Sequence, residues 1–459
     1  MEEQDQQNRA FEKRLKRQVI GKPHRFLAIV PLGFEQTLAR ELEFCHPQVV
    51  SDGKVEFTAK ITDAWKAVAY TRIANRIMMH IADFKAENFR DLEKKASEIP
   101  WELYLPCHPE QSNASCEVEG SISIHVTCKH SRLYHSDAVA ERLQKVIEGG
   151  NVSTPNAPQK LFVTLIDDRC TLWLDLAGEE LYKRGHERFV NDAPLKETIA
   201  AGMILEAIST LHIIHHQSSI INYPLSITLI DPMAGSGTFS LEAAYMASEL
   251  IPGKCRDFAF KHQPAFKPAT WNHIVNSSSR GNEVTAAITY PIRNILTSDI
   301  SERAVGIIRH NVECSPLAQS LSAINVTPQL RDFFTYTAKE IADACRTTNV
   351  SGEPDINVSE PVIVLNPPYG KRLDFDAPKL YTKIGKKLAE LACDLTPFGM
   401  HLTVAILAPK DDSRPGNKYT CTSNLLRECP ALDPTKNASA KLIETSHGGL
   451  GLNAFIAKI

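Results

Sequence analysis

The chain has 459 residues, of which 43% are hydrophobic and 23% are charged, and its formal net charge is −3. This length exceeds one ordinary core and predicts two to four domains. No apolar run approaches the roughly 18 residues that a membrane span needs. The N-terminus is polar and charged, which excludes a secretory signal or an anchor. We therefore expect a globular protein of the cytoplasm with no membrane partner.

The cysteines and histidines do not form a recognisable metal-binding pattern. The eleven cysteines are scattered, and no two of them form a CxxC pair. Scattered cysteines in an intracellular chain are usually core residues or inert thiols. His212, His215 and His216 have helical spacing, but no acidic or sulfur side chain lies near them in the sequence. We therefore predict no metal site.

Positive charge is locally concentrated although the whole chain is nearly neutral. A nucleic-acid binder whose net charge is near zero needs its positive charge concentrated in patches. A run of charged residues is equally well explained as a solvated surface. Three groups of basic residues stand out in the sequence: Arg9 to Arg25, Lys129 with His130 and Arg132, and Lys183 with Arg184, His186 and Arg188. These groups are candidate contacts with a polyanion.

The first half of the chain alternates short strands with helices. A buried strand begins at Phe26, and a helix with apolar residues at helical spacing begins near Phe34. A strand over 54–58 and a helix over 63–75 follow, which is the order of a small α+β module. Further on, a strongly alternating strand over 121–129 leads into an amphipathic helix that ends at Gly149, and two more strands, LFVTLID and CTLWLDL, come next.

The second half has the pattern of a parallel, doubly wound sheet. A helix over 195–211 precedes four apolar strands, SITLID, NILTSD, PVIVLN and LTVAILA. The first runs into a glycine turn and a helix, the second into a helix, and the third into a turn and a helix at about 380–393. Strands that alternate with helices predict a parallel sheet. Ligands of such sheets bind beyond the carboxyl ends of the strands. The acidic and glycine-rich strand ends are therefore the candidate site.

The first strand end carries a glycine turn, Asp231-Pro-Met-Ala-Gly235-Ser-Gly237-Thr. The two glycines permit a sharp turn and close backbone approach to a ligand. The Gly-Lys-Ser/Thr of a phosphate loop is absent, and Ser240 stands where a dinucleotide fingerprint has its third glycine. A carboxylate before the turn favours a ligand with a positive group, such as the ammonium of S-adenosylmethionine. A plain strand–turn–helix junction is the alternative.

Two further strand ends carry acidic residues. Asp299 ends NILTSD, where its carboxylate could accept both hydroxyls of a ribose or simply cap the next helix. Asp332 follows a third candidate strand and could accept from an adenine amino group, with Phe333 packed on the ring. Both are predicted contacts with the same nucleoside-containing ligand.

The segment with the strongest chemical content is Asn366-Pro367-Pro368-Tyr369-Gly370 after the strand PVIVL. Two prolines remove backbone donors and fix an extended turn, so the Pro367 carbonyl and the Asn366 side chain become paired acceptors. An exocyclic amino group is a poor nucleophile because its lone pair is delocalised into the base. Two acceptors favour its pyramidal form, with the lone pair directed at a methyl donor, and Tyr369 could stack on a flipped base. An ordinary proline turn is the alternative.

At these motifs the chain resembles the THUMP-containing RNA guanine-N2 methyltransferases of the bacterial RlmL type, over about residues 25–410. The resemblance implies that DPMAGSGT holds the methionine part of the cofactor and that NPPYG is the amino-methylation motif. It also implies that Lys196, within Ala193–Thr198, lies in a segment that closes over the cofactor, and that 251–260 is an insertion of this bacterial branch. The segment 133–142, which contains Tyr134, resembles the RNA-binding part of a THUMP domain, and 181–188 resembles the linker into the catalytic domain.

The resemblance implies an α/β fold with a Rossmann-like class I methyltransferase domain, a doubly wound and mostly parallel sheet, preceded by α+β ferredoxin-like and THUMP modules. We expect a basic, polar extension at 1–22, the ferredoxin-like module at 23–88, the THUMP domain at 89–178, a linker at 179–200 and the catalytic domain at 201–459. The candidate RNA contacts are Lys129, Arg132, Tyr134, Lys183 and Arg184.

The leading hypothesis is methylation of guanine N2 in 23S rRNA, or in a large-subunit precursor, with S-adenosylmethionine as donor and without a metal. A tRNA guanine-N2 methyltransferase of the same architecture is the close alternative. A DNA adenine-N6 methyltransferase is more distant, since NPPY serves that chemistry too. A non-catalytic RNA-binding assembly protein that has kept the fold is the alternative from another class.

Overall fold

The computed structural model describes residues 2–106, 122–149, 159–191, 194–217, 226–277, 290–320, 324–346, 359–369, 376–412 and 420–459. The chain divides into two compact units. The first comprises 1–30, 38–185 and 256–284, and the second comprises 31–37, 186–255 and 285–459. The side chains of the three clustered histidines at 212–216 lie outside the described part, as do Ala193 and Gly370.

The first unit is built on a sheet of seven described strands. In spatial order these are β2 (Gln48–Ser51), β3 (Lys54–Ala59), β1 (His24–Ile29), β4 (Arg76–Lys85), β7 (Arg169–Asp175), β6 (Lys160–Ile166) and β5 (Ser123–Lys129). Only the β5–β6 pair is parallel. The strands expected for the ferredoxin-like and THUMP modules thus form one continuous sheet through the pairing of β4 with β7. The sequence did not predict β4, whose buried Ile77, Met78 and Met79 break the alternation of a half-buried strand.

Helices cover this sheet, and a distant chain segment completes the core of the unit. The helices of this unit are α1 (Glu2–Leu15), α3 (Ile61–Tyr70), α4 (Phe89–Ser97), α5 (Ser136–Glu148) and α8 (Pro268–Ser277), while α2 (Glu35–Glu41) contains the chain boundary between the units after residue 37. Trp65 of α3 stacks on Phe260 with ring centroids 5.5 Å apart, and Phe260 also contacts the ring of Trp271 in α8. The insertion predicted from 251 onward therefore contributes aromatic side chains to the core of the first unit.

The second unit is the doubly wound domain. Its seven described strands follow the order β10 (Pro328–Leu330), β9 (Ile292–Asp299), β8 (Ile227–Asp231), β11 (Glu360–Leu365), β12 (Thr403–Pro409), β14 (Leu450–Lys458) and β13 (Lys441–His447). The five from β10 to β12 are parallel to their neighbours, whereas β14 is antiparallel to both β12 and β13. Every residue of β8 and β12 is buried, as expected for central strands covered on both faces.

The helices of the second unit are α6 (Glu197–Gln217), α7 (Thr238–Ala247), α9 (Glu302–Glu313), α10 (Ala338–Cys345), α11 (Ala377–Leu395) and α12 (Cys421–Glu428). A large core lies where α10, α11 and α12 pack against the sheet, with Tyr381 and Phe455 fully enclosed. The predicted fold class is confirmed for the mostly parallel sheet, while β13 and β14 were not predicted. Among the described residues, no helix is both long and apolar enough to cross a membrane.

Candidate active site at the carboxyl ends of the parallel strands

The order of the parallel strands places three predicted segments at one edge of the sheet. Strand β8 is central, with β9 on one side and β11 on the other. Asp231 ends β8, Asp299 ends β9, and Asn366 directly follows β11. Because the three strands are parallel, their carboxyl ends face the same crevice, which is where ligands of such sheets bind.

The glycine turn after β8 is held against the end of β9. The Ala234 N–H donates to the Ser298 carbonyl (3.0 Å), and the Gly235 N–H donates to Oδ2 of Asp299 (2.8 Å). Gly235 has φ +57° and Gly237 has φ +77°, a left-handed conformation that glycine adopts without the steric cost of a side chain. The turn leads directly into α7, whose first residue is Thr238.

Asp231 is completely enclosed at the base of this turn. Its Oδ2 accepts from the Ser240 N–H (3.2 Å) and from the Ser240 hydroxyl (2.7 Å). Its Oδ1 is buried and accepts no hydrogen bond from a described residue. Burial raises the pKa of Asp231 to about 7, and the nearby Asp299 carboxylate adds to the increase while the bonds from Ser240 oppose it. A positively charged ligand group beside Oδ1 would reverse this effect by favouring the carboxylate.

Asp299 lies beside the start of α9 but is not its N-cap, because the Ser301 hydroxyl accepts from the Ala304 N–H (3.4 Å). The Oδ2 of Asp299 fixes the glycine turn as described, and its Oδ1 accepts from the Ser301 N–H (2.9 Å) where α9 begins. A carboxylate has about four lone-pair sites, so these two bonds leave acceptor capacity for ribose hydroxyls. Asp299 therefore shapes the turn and remains a candidate ligand of the cofactor.

The two predicted adenine contacts differ in their exposure. Asp332 is half-buried, and its Oδ1 accepts from the Phe334 N–H (3.0 Å), which places the side chain at the start of a single 3₁₀ turn. Phe333 is only 2% exposed and packs in the core, so little of its ring is left to contact a cofactor. Asp332 fits the predicted role better than the Phe333 ring does.

The segment before α6 is tied to the glycine turn. Arg188 donates to the hydroxyls of Ser236 and Thr238 and pairs with Glu197. The Thr238 hydroxyl donates to the Leu195 carbonyl (3.4 Å), which brings the neighbouring Lys196 close to the turn. The sequence placed Arg188 among possible polyanion contacts. Its bonds to the glycine turn were not predicted, because the Ser236 and Thr238 hydroxyls are far from Arg188 along the chain.

The double-proline corner presents an amide oxygen with no bond from the described residues. Asn366 is half-buried, Pro367 is buried, and Tyr369 is partly exposed. The Asn366 Oδ1 is buried and has no hydrogen-bond donor among the described residues. Buried polar atoms are normally satisfied, so an orphan acceptor at this strand end is a candidate substrate contact. The corner thus supplies the acceptor that methylation of an amino group requires.

The predicted RNA contacts all belong to the first unit. Lys129 and Tyr134 are exposed, and Lys183 is exposed and pairs with Glu179. Arg132 is exposed but pairs with Glu87 and, at 3.7 Å, with Asp168. The remaining candidate, Arg184, differs from these four.

Arg184 is only 5% exposed, which distinguishes it from the other predicted RNA contacts. Its guanidinium donates to the carbonyls of Leu181 (3.0 Å) and Arg72 (2.9 Å). Because these bonds hold the Arg184 guanidinium inside the first unit, we exclude Arg184 from the proposed RNA surface.

The open side of the glycine turn gives a testable prediction. A Cβ added at Gly235 would meet no described atom within 4 Å, and the same is true of Gly399, which also has a positive φ. We expect Gly235→Ala and Gly399→Ala to lose similar stability, about 1–2 kcal/mol from backbone strain. Only Gly235→Ala should lower cofactor affinity, by about tenfold or more, as measured by calorimetry. Equal affinity in the two variants would remove Gly235 from the cofactor site.

Comparisons with known proteins agree with this architecture. Residues 220–330 match the family model of the RMKL-like methyltransferase domain, and residues 25–78 match that of the RlmL ferredoxin-like domain. The putative RNA methyltransferase YpsC of Bacillus subtilis is 27% identical over 77% of this chain and 80% of its own length. The ribosomal RNA large subunit methyltransferase K/L of Shewanella baltica is 29% identical over 79% of this chain, which spans only 46% of that protein.

A solved structure shows the same fold. SMU.472, described as a putative methyltransferase complexed with SAH, aligns over 95% of this chain and 98% of its own, with a TM-score of 0.67 and 22% identity. At this identity the likeness shows the fold alone.

The order of the parallel strands and the match of residues 220–330 to a methyltransferase domain model agree with the class I methyltransferase fold expected for the second unit. More closely, residues 25–78 and 220–330 match the RlmL ferredoxin-like and RMKL-like methyltransferase domain models, which confirms the predicted resemblance to RlmL-type enzymes. The methyltransferase domain match also agrees with S-adenosylmethionine as the predicted cofactor. The THUMP domain and the individual site residues remain predictions.

Proposed function

We propose that this chain transfers a methyl group from S-adenosylmethionine to the N2 amino group of a guanine in 23S rRNA, in the cytoplasm. The proposal rests on the buried Oδ1 of Asn366, which has no donor among the described residues and lies on a double-proline corner at the same sheet edge as Asp231 and Asp299. Its relatives named as ribosomal RNA large subunit methyltransferases K/L support rRNA as the substrate class.

The chemistry follows from the acceptors at the corner. The Asn366 amide oxygen and the Pro367 carbonyl accept the two N–H groups of the guanine amino group. This arrangement would draw the nitrogen out of conjugation, so that its lone pair is free to accept the methyl group. Holding the nitrogen beside the methyl donor would contribute about 7–11 kcal/mol to lowering the barrier, and the methylated nitrogen would release one proton to solvent. Tyr369 stacks on the guanine after the base leaves its helix, a contact worth about 1–3 kcal/mol.

The residues present fit the cofactor. Asp231 Oδ1 is a buried acceptor suited to the methionine ammonium, and the open side of Gly235 leaves room for close backbone approach. Asp299 and Asp332 supply acceptors for the ribose hydroxyls and the adenine amino group. When bound, S-adenosylmethionine supplies the activated methyl group. The protein side chains bind, orient and desolvate the two reactants.

A row of rings on the first unit's sheet supports RNA as the partner. His80, Trp173, Phe162 and His125 occupy paired positions on four neighbouring strands from β4 to β5. The rings of His125 and Phe162 are stacked with centroids 4.9 Å apart, and His125 is exposed. Lys129 lies four residues from His125 and therefore on the same face of β5. Trp173 is only 6% exposed, so the ring that this row offers to an unpaired base is chiefly that of His125 beside the Lys129 cation.

Lys129 and Arg132 should contribute unequally to RNA binding. Lys129→Ala removes an exposed charge, so we expect weaker RNA binding and a salt slope lower by about one. Arg132→Ala should change the slope less, because Glu87 and Asp168 already compensate that charge. Filter binding at several salt concentrations measures both, with the exposed Lys54 on β3 as the matched alanine control. A slope unchanged from the wild type in Lys129→Ala would exclude this surface from the interface.

The function is tested by offering the purified chain labelled S-adenosylmethionine with 23S rRNA, tRNA or double-stranded DNA, and identifying the modified nucleoside after digestion. We expect N2-methylguanosine from 23S rRNA. N2-methylguanosine from tRNA alone would move the substrate to tRNA. N6-methyladenine from DNA, or no transfer to any substrate despite cofactor binding, would overturn the proposal.

A further inference from the structure

Three potential metal ligands converge beside the glycine turn although the proposed methyl transfer uses none of them. Nε2 of His310 lies 3.6 Å from Sγ of Cys314 and 3.9 Å from Oε1 of Glu187. The ligand atoms of all three residues lie within 4.8 Å of one another. His310 and Cys314 are one turn apart on α9 and its C-terminal cap, so they share one face, while Glu187 comes from the segment that precedes α6.

These separations are close to those of a tetrahedral zinc site. Zinc binds sulfur at about 2.3 Å, imidazole nitrogen at about 2.0–2.1 Å and carboxylate oxygen at about 2.0–2.2 Å. Tetrahedral angles then separate neighbouring ligand atoms by about 3.3–3.6 Å. The distance from His310 Nε2 to Cys314 Sγ therefore already matches a tetrahedral site, and that to Glu187 Oε1 needs a shift of about half an ångström. The ligand atoms of Glu187 and Cys314 lie within 4.8 Å of each other, so the exposed Glu187 side chain has to close this separation by up to about 1.2 Å. A set of one sulfur, one nitrogen and one oxygen favours zinc over magnesium or calcium, which prefer oxygen alone.

The surrounding contacts hold two of the ligands in place. The Phe189 ring stacks on the His310 ring, with centroids 3.8 Å apart and an angle of 14°. The side chain of Asn311 accepts from the Phe189 N–H (2.8 Å) and donates to the Phe189 carbonyl (2.9 Å). These bonds fix the backbone two residues after Glu187 against α9. A site that is already positioned loses little conformational entropy on binding an ion.

The same asparagine reaches the cofactor turn. Its Nδ2 also donates to the Ser236 carbonyl (3.0 Å), between Gly235 and Gly237, and Asn311 is fully buried. An ion that fastens Glu187 to α9 would therefore stabilise a junction that is directly bonded to the glycine turn.

We propose that Glu187, His310 and Cys314 bind a zinc ion, with water in the fourth position, and that this ion fastens the segment before α6 to the cofactor-binding part of the domain. The Cys314 thiol loses its proton when it binds the metal, so one proton is released and affinity rises with pH. The site is structural, and it does not rest on the proposed methyl transfer.

The test uses cobalt(II) as a spectroscopic probe on the full chain after treatment with a chelator. Thiolate coordination gives cobalt a charge-transfer absorption in the near ultraviolet. We expect one equivalent of cobalt to bind with this signal and zinc to displace it. Cys314→Ser should abolish the signal, whereas Cys393→Ser, at an exposed cysteine on α11, should retain it. Zinc should also raise the unfolding temperature of the wild type and of Cys393→Ser but not of Cys314→Ser.

Three outcomes would overturn the proposal. One is a wild-type chain without the cobalt–thiolate signal. Another is a signal that persists unchanged in Cys314→Ser. The last is an equal loss in both serine variants, which would indicate adventitious binding at scattered thiols. Because Cys314 is exposed, its replacement by serine leaves the core intact, so loss of the signal cannot be attributed to misfolding.

Discussion

Replacing Asn366 by alanine is expected to lower the rate of methyl transfer by at least about 10²–10³-fold, the range found when a preorganised hydrogen-bonding group is removed from a reaction site. The reason is that Asn366 Oδ1 is a buried acceptor without a donor among the described residues, and the amino group of the base is its proposed partner. Cofactor and RNA affinity should stay nearly unchanged, since the proposed contacts with the methionine and ribose of the cofactor and with RNA involve other residues. Single-turnover kinetics and equilibrium binding measure these quantities separately.

Asn366→Asp is the matched variant for this prediction. It keeps an oxygen acceptor of almost the same shape and position, so it should retain much more activity than Asn366→Ala. A higher activity of Asn366→Asp than of Asn366→Ala would show that the loss of the acceptor, and not a general change in the structure of the corner, lowers the rate. Parallel losses of rate, cofactor affinity and RNA affinity in Asn366→Ala would contradict the role that we give this side chain.

Cofactor affinity is expected to rise with pH through about 7, because the pKa of Asp231 in the folded protein is raised to about 7, mainly by burial. In the proposed site the ammonium of the cofactor binds the Asp231 carboxylate and not the neutral acid. Below pH 7 the affinity of the wild type should therefore fall by up to about tenfold for each pH unit. Calorimetric titrations at pH 6, 7 and 8 measure this dependence.

The stability of the protein without cofactor should change in the opposite direction. The usual pKa of the aspartate side chain is 3.8, well below the folded-state value of Asp231. Between these values the folded protein holds a proton that the unfolded chain has lost, so the contribution of Asp231 to stability falls as pH rises from about 4 to 7. Asp231→Asn should bind cofactor weakly with a flat pH profile and should lose this component of the pH dependence of stability. A pH dependence of cofactor binding that survives in Asp231→Asn would assign the titration to another group.

The strand-end residues were predictable because their signal is local. Asp231, Asp299 and Asn366 each follow an apolar strand, and the alternation of strands with helices makes those strands parallel. Parallel strands place their carboxyl ends at one edge of the sheet, so these three residues share a crevice without any knowledge of long-range contacts. The pattern of strands and helices does not predict individual hydrogen bonds, such as that from the Gly235 N–H to Asp299 Oδ2.

What the sequence could not predict depends on contacts between distant residues. Lys183 and Arg184 look alike in a basic run, yet only Arg184 is buried, because one of its acceptors is the Arg72 carbonyl 112 residues away. Strand β4 joins two expected modules into one sheet through its pairing with β7, which no local pattern signals. The sequence did not predict the Glu187–His310–Cys314 cluster for the same reason, because metal-ligand spacing patterns detect only residues that are close in sequence.

The most direct test of the proposed function is to map N2-methylguanosine in the RNA of a strain that lacks this protein. We expect one N2-methylguanosine to disappear from 23S rRNA in that strain. It should reappear when the wild-type chain is expressed there and should not reappear with Asn366→Ala. An unchanged set of N2-methylguanosines in 23S rRNA, or restoration by Asn366→Ala, would contradict the claim that the double-proline corner methylates that base.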